Sequence, residues 1–411
     1  MSKEFFKVLD LEQVFELLPA FGRVDTEWTQ LESALGRVLA ETVTAPEDLP
    51  HFARSTVDGY AVRAASTFGA SESGPALLEV VGAIAMGESA AGAVGPGQTM
   101  RVATGGMLPA GADAVVMIEH ADVVGAGAIE VFRTVAPGQN LIAAGEDFGR
   151  GQPVLPAGRP LRPQDAGVLA ALGLPRVSVF RRPTVGIIST GDEIVSAEAT
   201  PGPAQVRDIN SHTLAGLAIR CGAVPTAFGI VRDDFPSLHS ACRRALERCD
   251  MVLISGGSSV GTRDYTVEAL TAFEGAAILM HGIAVSPGKP TILAKVLGKP
   301  VWGLPGHAAS AMVVFDRVVR PFLRHMAGIA APAGDEIRLP ARLSRNLASA
   351  QGRTDFVRVR LVRREGRWWA EPVLGKSGLL NTMIASDGLV EVPKNVEGLD
   401  EGAAVDVIVF N

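Results

Sequence analysis

The sequence predicts a multidomain α/β plus β protein, built on a parallel-sheet α/β domain with helices on both faces. Three observations predict it. From residue 183 to about 328, short apolar β-rich runs alternate with stretches of helical period, the pattern of βαβ units. On either side, segments such as "ALLEVVGAIAM" and "AIEVFRTV" are short and β-rich, with glycine and proline between them. With 46 Gly and 26 Pro among 411 residues, much of the chain must be turns, short strands and loops.

In chain order, "DLEQVFELLPAF" (10–21) and "TQLESALGRVLAETV" (29–43) carry apolar residues at helical spacing, so two N-terminal helices are expected. Residues 50 to 149 read as a small β domain, and "RPQDAGVLAALGLP" (162–175) as a short helix after it. In the α/β part, "TVGIIST", "TAFGIV", "MVLIS", "ILMHGIAV", "PTILAKV" and "PVWGLP" read as strands. The helices between them are "INSHTLAGLAIRCGA", capped by Asn210 or Ser211, "FPSLHSACRRALERC" and "DYTVEALTAF", and "AASAMVVFDRVVRPFLRHM" follows as a long helix. From about residue 331 the short strands and glycine turns return, so a second small β domain closes the chain. There is no strict internal repeat.

A length of 411 residues suggests two to four domains. A net charge of −6 argues against a general nucleic-acid binder, which usually shows a basic excess. Cys221, Cys242 and Cys249 fit neither a disulfide framework nor a metal quartet. Cys242 and Cys249 read as small apolar packing residues of one helix. The start "MSKEFFKVLDLEQ" has acidic residues too early for a secretory signal, and no apolar run is long enough to span a bilayer. A cytoplasmic protein without membrane or nucleic-acid partners is the expectation.

Ligands of open parallel sheets bind beyond the carboxyl ends of the strands. Two loops there have suitable composition, "STGDE" (189–193) and "SGGSSVGTRD" (255–264). Gly256 and Gly257 let the backbone approach a ligand and aim successive amides at it. A lone loop of this kind is as readily an ordinary turn; two on one rim point to a phosphate site. Asp192, Glu193, Asp233, Asp234 and Asp264 all fall in loops of this domain, and carboxylates beside a phosphate call for a cation such as Mg²⁺. Each has an alternative as a helix cap or a solvated charge; for Asp264 capping and metal binding are compatible. In "VSPGKPTILAK", Gly288 permits a tight turn and Lys289 offers a cation at its tip, although a Pro-Gly surface turn is the simpler reading of that segment alone. "GLPGHAAS" repeats the design with Gly306 and Ser310, and there His307 reads as structural. Asp58 and Thr104, in "STVDGYAV" and "RVATGGMLPAGADAVV", are unremarkable alone. No Ser-His-Asp ordering, HExxH helix, Walker loop or GxGxxG spacing is present.

Taken together, "STVDGYAV", "ATGGMLPAGADAVVMIE", "STGDEIV", "IVRDD", "ISGGSSVGTRDYT", "SPGKPTILAK" and "GLPGHAASAM" resemble the molybdopterin molybdenumtransferase (MoeA) family, related to the E domain of gephyrin. They occur in the family's order over almost the whole chain. The resemblance implies four domains: a helical linker and dimer domain from 1–49 and 147–182, an inserted β domain at 50–146, an α/β molybdopterin-binding domain at 183–329 and a C-terminal β-barrel domain at 330–411. It implies an elongated homodimer with the cleft between the α/β domain and the partner subunit's β domain. It also implies insertion of molybdenum from molybdate into adenylylated molybdopterin, assisted by Mg²⁺, with release of AMP. On this resemblance Asp58, Thr104, Glu193, Asp264 and Lys289 would be catalytic, and Asp192, Asp233 and Asp264 would hold the metal. Thr190, Gly191, Ser255, Gly256, Gly257, Ser258, Ser259, Pro287, Gly288 and Gly306 would line the cofactor site. Lys289, Pro290, Ser310, Arg353 and Ser377 would form the molybdate pocket.

The chain departs from the family pattern at three places. Ser286 stands where many members have the first lysine of KPGK, Gly282 where some carry another lysine, and His307–Ala308 where an Asn-Pro pair is frequent. Fewer cations leave open a gephyrin-like scaffold or binding protein, which would require neither Lys289 nor Asp264. The adenylyltransferase that makes the intermediate shares the α/β domain but is usually a single small domain. It is an expected partner, as are downstream molybdoenzyme maturation proteins.

Overall fold

A computed structural model describes residues 8–256, 265–330 and 336–410. The chain forms two compact units: Met1–Ala40 with Ala157–Arg162 and Val177–Asn411, and Glu41–Pro156 with Pro163–Arg176.

At the N-terminus, helix α1 is one short segment, Leu11–Phe15. The helix expected over 29–43 is absent. Thr26–Gln30 is instead a strand paired with Arg176–Phe180, followed by a single helical turn, Leu31–Ser33. Gly36, at φ +72°, holds a backbone conformation that no helix interior uses. The residues that mimicked a helical period are buried one by one: Val38 against Val24 and Phe180, and Leu39 bridging Val179. Tertiary pairing here overrides a weak local preference.

The second unit holds β1 (Gly59–Val62), β2 (Ala76–Ile84), β3 (Gln98–Val102), β4 (Ala114–Met117), β5 (Ala121–Val124) and β6 (Ala128–Val131). They form one six-stranded sheet in the order β4-β1-β3-β2-β6-β5. Tyr60, Val62, Leu78, Val116 and Ile129 make its core. Helix α2 (Pro163–Ala171) belongs to the same unit.

In the first unit, β7 (Thr184–Thr190), α3 (Asn210–Arg220), β8 (Val224–Val231), α4 (Phe235–Arg248), β9 (Met251–Ser255), α5 (Tyr265–Thr271), β10 (Ala277–His281), β11 (Ile292–Val296) and β12 (Lys299–Leu304) alternate as expected. The sheet order is β8-β7-β9-β12-β11-β10. The first four strands run parallel, and β11 and β10 add an antiparallel edge. Period-two alternation divides the strand residues between two cores. Val185, Ile187, Leu253 and Trp302 pack with Leu214 of α3 and with Phe315 and Phe322. Ile188, Val252, Ile254 and Val301 pack with Leu238, Cys242 and Ala245 of α4. Cys242 is thus a packing residue, and burial pushes its thiol up to about 12; Cys249, also buried, lies just past the end of α4. The long C-terminal helix continues from α6 (Ala308–Val314) through a widened turn at Phe315–Val319 into α7 (Arg320–Met326).

The rest of this unit is β13 (Arg338–Leu343), β14 (Thr354–Arg364), β15 (Arg367–Pro372), the short helix α8 (Asn381–Ile384), β16 (Gly388–Val392) and β17 (Ala404–Val409). The strands run in the order β14-β15-β13-β17-β16, and a further β14–β16 pairing closes them into a barrel. The two-residue strand Val285–Ser286 pairs in parallel with Thr354 and Asp355 at the start of β14. That pairing fixes where the "SPGK" turn meets the barrel.

Candidate functional site

From β7 the chain crosses to β8 on one side, and β9 then lies on the other. The strand order therefore reverses beside β7, and a crevice opens beyond the carboxyl ends of β7 and β9. Thr190 ends β7 and Ser255 ends β9, both buried. Gly256 follows at φ +101°, and a Cβ there would sit 2.1 Å from the Thr190 carbonyl oxygen, so only glycine lets the chain leave the sheet along this path.

A chamber of about 570 Å³ occupies this crevice, lined among others by Thr190, Glu193, Arg207, Asn210, Ser255 and Gly306. Asn210, itself buried, is part of that lining. The amide nitrogen donates to Ser255 Oγ and, at 2.8 Å, to the Gly306 carbonyl, while its Oδ1 is buried with no partner among the described residues. Asn210 therefore does not cap α3. That role falls to Asp208, whose Oδ1 accepts from the Ser211 amide at 3.1 Å and whose Oδ2 accepts from Ser189 Oγ at 2.8 Å. Freed from capping, Asn210 holds the β9 end and the Gly306 turn together.

A second chamber, of about 610 Å³, is lined by Ser286, Pro287, Gly288, Lys289, Ser310, Arg353 and Ser377 and shares Pro290, Pro305 and His307 with the first. The parallel pairing of Ser286 with Asp355 brings Lys289 and Arg353 to this one cavity from segments far apart in sequence. Arg353 is oriented by Asp355, its Nε 2.8 Å from Oδ1, and Ser349 Oγ donates to Oδ2 at 2.9 Å. Lys289 is exposed, and its ammonium has no hydrogen bond or ion pair with any described residue. Gly288, at φ +127°, packs so closely that a Cβ would lie 2.3 Å from Val314 Cγ2. Ser310 is buried in the first turn of α6.

The carboxylates separate into roles. Asp234 is the N-cap of α4: its Oδ1 accepts from the Ser237 amide at 2.8 Å and its Oδ2 from the Ser237 hydroxyl at 3.0 Å. Those bonds, the backbone one first, hold its carboxyl below the usual range. Asp233 accepts instead from Thr190 Oγ1, and its amide donates to Asp192 Oδ1 at 3.4 Å. Asp192 and Asp233 thus stand side by side beyond β7 and β8, with Glu193 on the chamber wall. No group of three metal-ligating side chains occurs among the described residues.

The expected residues Thr190, Gly191, Asp192, Glu193, Asp233, Ser255, Gly256, Pro287, Gly288, Lys289, Pro290, Gly306, Ser310, Arg353 and Ser377 all belong to the unit that contains both chambers. Gly257, Ser258, Ser259 and Asp264 lie outside the described residues. Asp58 and Thr104 belong to the other unit and bond to each other: the Thr104 amide and hydroxyl donate to Asp58 Oδ1 at 2.7 and 3.0 Å. The amide bond first, then the hydroxyl bond, lowers the Asp58 carboxyl from its ordinary value. Sequence reasoning missed Asn210, Arg207 and Asp355. Asn210 looked like a cap, and only the "DIN" order, an aspartate two residues ahead, hinted that the cap was supplied elsewhere.

Residues 9–173 match the MoeA N-terminal region (domain I and II), 186–325 a probable molybdopterin binding domain, and 340–410 the MoeA C-terminal region (domain IV). A molybdopterin molybdenumtransferase of Bacillus subtilis is 33% identical over 390 residues, covering 94% of this chain and 90% of its own length. One from a Nostoc species is 37% identical over 321 residues, 77% of this chain and 73% of the other. The crystal structure of a molybdopterin biosynthesis MoeA protein from Pyrococcus horikoshii superposes with a TM-score of 0.85 at 33% identity, covering 98% of this chain and 100% of that one. With three matching regions in sequence order and such identity across both lengths, the chain belongs to the MoeA family.

Proposed function

We propose that this chain is a molybdopterin molybdenumtransferase of molybdenum cofactor biosynthesis. It takes adenylylated molybdopterin and molybdate, places molybdenum in the dithiolene and releases AMP. One observation carries the reading: a chamber at the strand rim adjoins a second that holds Lys289 and Arg353, with Pro290, Pro305 and His307 as their common wall. The first suits the pterin and its phosphates, with Thr190, Ser255 and Asn210 as polar contacts and Arg207 as a cation. The second suits a tetrahedral dianion, which needs a few donors and one or two cations; Ser310 and Ser377 supply hydroxyls.

Asp192 and Asp233 fit Mg²⁺, which keeps several waters and binds through one or two carboxylates plus substrate phosphate rather than in an all-protein cage. Asp264 is assigned to the same ion. The ion would offset the charge of the phosphoanhydride and of departing AMP. Thr190 orients Asp233, Glu193 faces the reacting phosphates, and Lys289 holds the oxyanion beside the dithiolene. The protein acts as a homodimer in the cytoplasm, with Asp58 and Thr104 serving the cleft of a second copy. A molybdopterin adenylyltransferase supplies its substrate, and molybdoenzyme maturation proteins take its product.

The test is to incubate purified protein with adenylylated molybdopterin, Mg²⁺ and either molybdate or tungstate, and to follow AMP. Oxyanion-dependent release is expected. Failure with both oxyanions overturns the reading in favour of a scaffold.

A further inference from the structure

Away from both chambers, the larger unit contains a cavity of about 640 Å³ whose lining includes Arg37, Arg181, Arg182, Arg220, Arg320 and Arg324. Asp316 is the one acidic residue in that lining. Three of the arginines are already compensated: Arg37 by Glu27, Arg181 by Asp250 and Asp25, and Arg320 by Asp316 and Glu336. Arg182 and Arg220 are not; the guanidinium group of neither has a hydrogen bond or ion pair with any described residue, and both residues are exposed. They reach the cavity from different elements, Arg182 from the segment entering β7 and Arg220 from the last turn of α3. The remaining wall is apolar, with Phe180, Leu217, Ile219 and Phe315.

Guanidinium forks recognise phosphate in two-pronged fashion, and here two of them without a carboxylate partner among the described residues border one largely apolar cavity. The volume lies within the range of small-molecule sites, which combine a mostly apolar lining with a few placed polar groups. We propose that this cavity binds a phosphate-bearing organic anion, its phosphate on Arg182 and Arg220 and its apolar body against Leu217 and Ile219. Arg181 and Arg320, fixed by their carboxylate partners, contribute field rather than direct contacts. None of these residues lines either chamber described above, so the proposal stands apart from the transferase reading.

Calorimetric titration of the full chain with phenyl phosphate and with inorganic phosphate tests it. Saturable binding of phenyl phosphate is expected, at least about tenfold tighter than inorganic phosphate because the ring buries apolar surface. Lys289→Ala should bind phenyl phosphate as the parent does, which separates this cavity from the proposed oxyanion chamber. Arg182→Ala/Arg220→Ala should weaken it by roughly tenfold or more, and Arg182→Lys/Arg220→Lys, which keeps charge but loses the forks, should fall between. Equal affinity in the parent and the double alanine variant overturns the proposal. So does equal affinity for the two phosphates, which describes a plain anion patch. A double alanine variant that loses a dimer present in the parent also overturns it, because the arginines would then face a second copy rather than a ligand.

Discussion

Ser377 Oγ lies 3.0 Å from His307 Nδ1, joining the segment after β15 to the turn that opens α6. His307 sits at the N-cap position of α6, but its ring makes no capping bond and stands in the wall common to both chambers. The structural role expected for His307 is therefore incomplete. It borders the cavity lined by Ser286, the position at which many members of the family carry a lysine. His307→Ala should raise the molybdate KM for AMP release roughly fivefold, the value of one lost hydrogen bond to the anion. His307→Asn, which keeps a donor beside Ser377, should fall between. An unchanged KM in the alanine variant removes His307 from the oxyanion site.

Lys289 and Gly288 separate charge from backbone geometry. Removing the ammonium deletes a charge-assisted contact worth about 1.5–3 kcal/mol, so Lys289→Ala should raise the molybdate KM by roughly 10- to 100-fold with its denaturant midpoint unchanged. Gly288→Ala should do the reverse in stability. Its new Cβ meets Val314 at 2.3 Å from a left-handed φ, so about 1–3 kcal/mol of strain is expected, read by urea unfolding. If Gly288→Ala unfolds as the parent does, the tight packing of this turn is not what fixes Lys289.

The comparison of these two residues shows what was legible in the sequence. The turn and its cation were readable locally, because glycine and lysine at a strand junction carry their meaning within five residues. Their convergence with Arg353 was not, since it depends on the parallel pairing of Val285–Ser286 with β14 across some seventy residues. The βαβ alternation was equally plain, each strand and helix having its own period. The expected helix over 29–43 failed for the opposite reason: its apolar spacing is real, but Thr26–Gln30 finds a better partner in Arg176–Phe180. Asn210 was misread because capping looks the same in sequence whether the first or the third candidate side chain performs it.

Asp250 gives a pH dependence with a fixed sign. Burial pushes its carboxyl up, but the bonds from Arg181, at 2.6 Å to each oxygen, and from the Thr184 amide and hydroxyl outweigh burial and hold it below the usual value. A carboxylate depressed in the folded state contributes stability that is complete above its unfolded value, near 3.9, and is lost as pH falls towards the folded one. Asp250→Asn should therefore cost about 2 kcal/mol at pH 7 and progressively less between about pH 5 and pH 3. Urea midpoints of both proteins across that range check it. A difference that stays constant with pH assigns the loss to packing rather than to the ion pair.

The Asp58–Thr104 pair permits the most direct test of a two-copy site. Thr104→Val removes the hydroxyl bond but keeps the backbone amide bond, the larger of the two causes, so the Asp58 carboxyl should rise yet stay below its ordinary value. Carbon-13 NMR titration of the side chain measures this; a return to the full unperturbed value would mean that the amide bond is absent in solution. The pair is exposed, so Asp58→Ala should leave stability unchanged and lower AMP release in kcat. If Asp58 serves the cleft of a second copy, mixing Asp58→Ala with Lys289→Ala subunits rebuilds one intact site in each hybrid dimer, combining Lys289 from one chain with Asp58 from the other. Random mixing makes half the dimers hybrids, so activity should recover to about a quarter of the parent's. Each variant alone remains low. If both residues act within one chain, every site in the mixture stays damaged and no recovery occurs, because no exchange of whole subunits can reunite them.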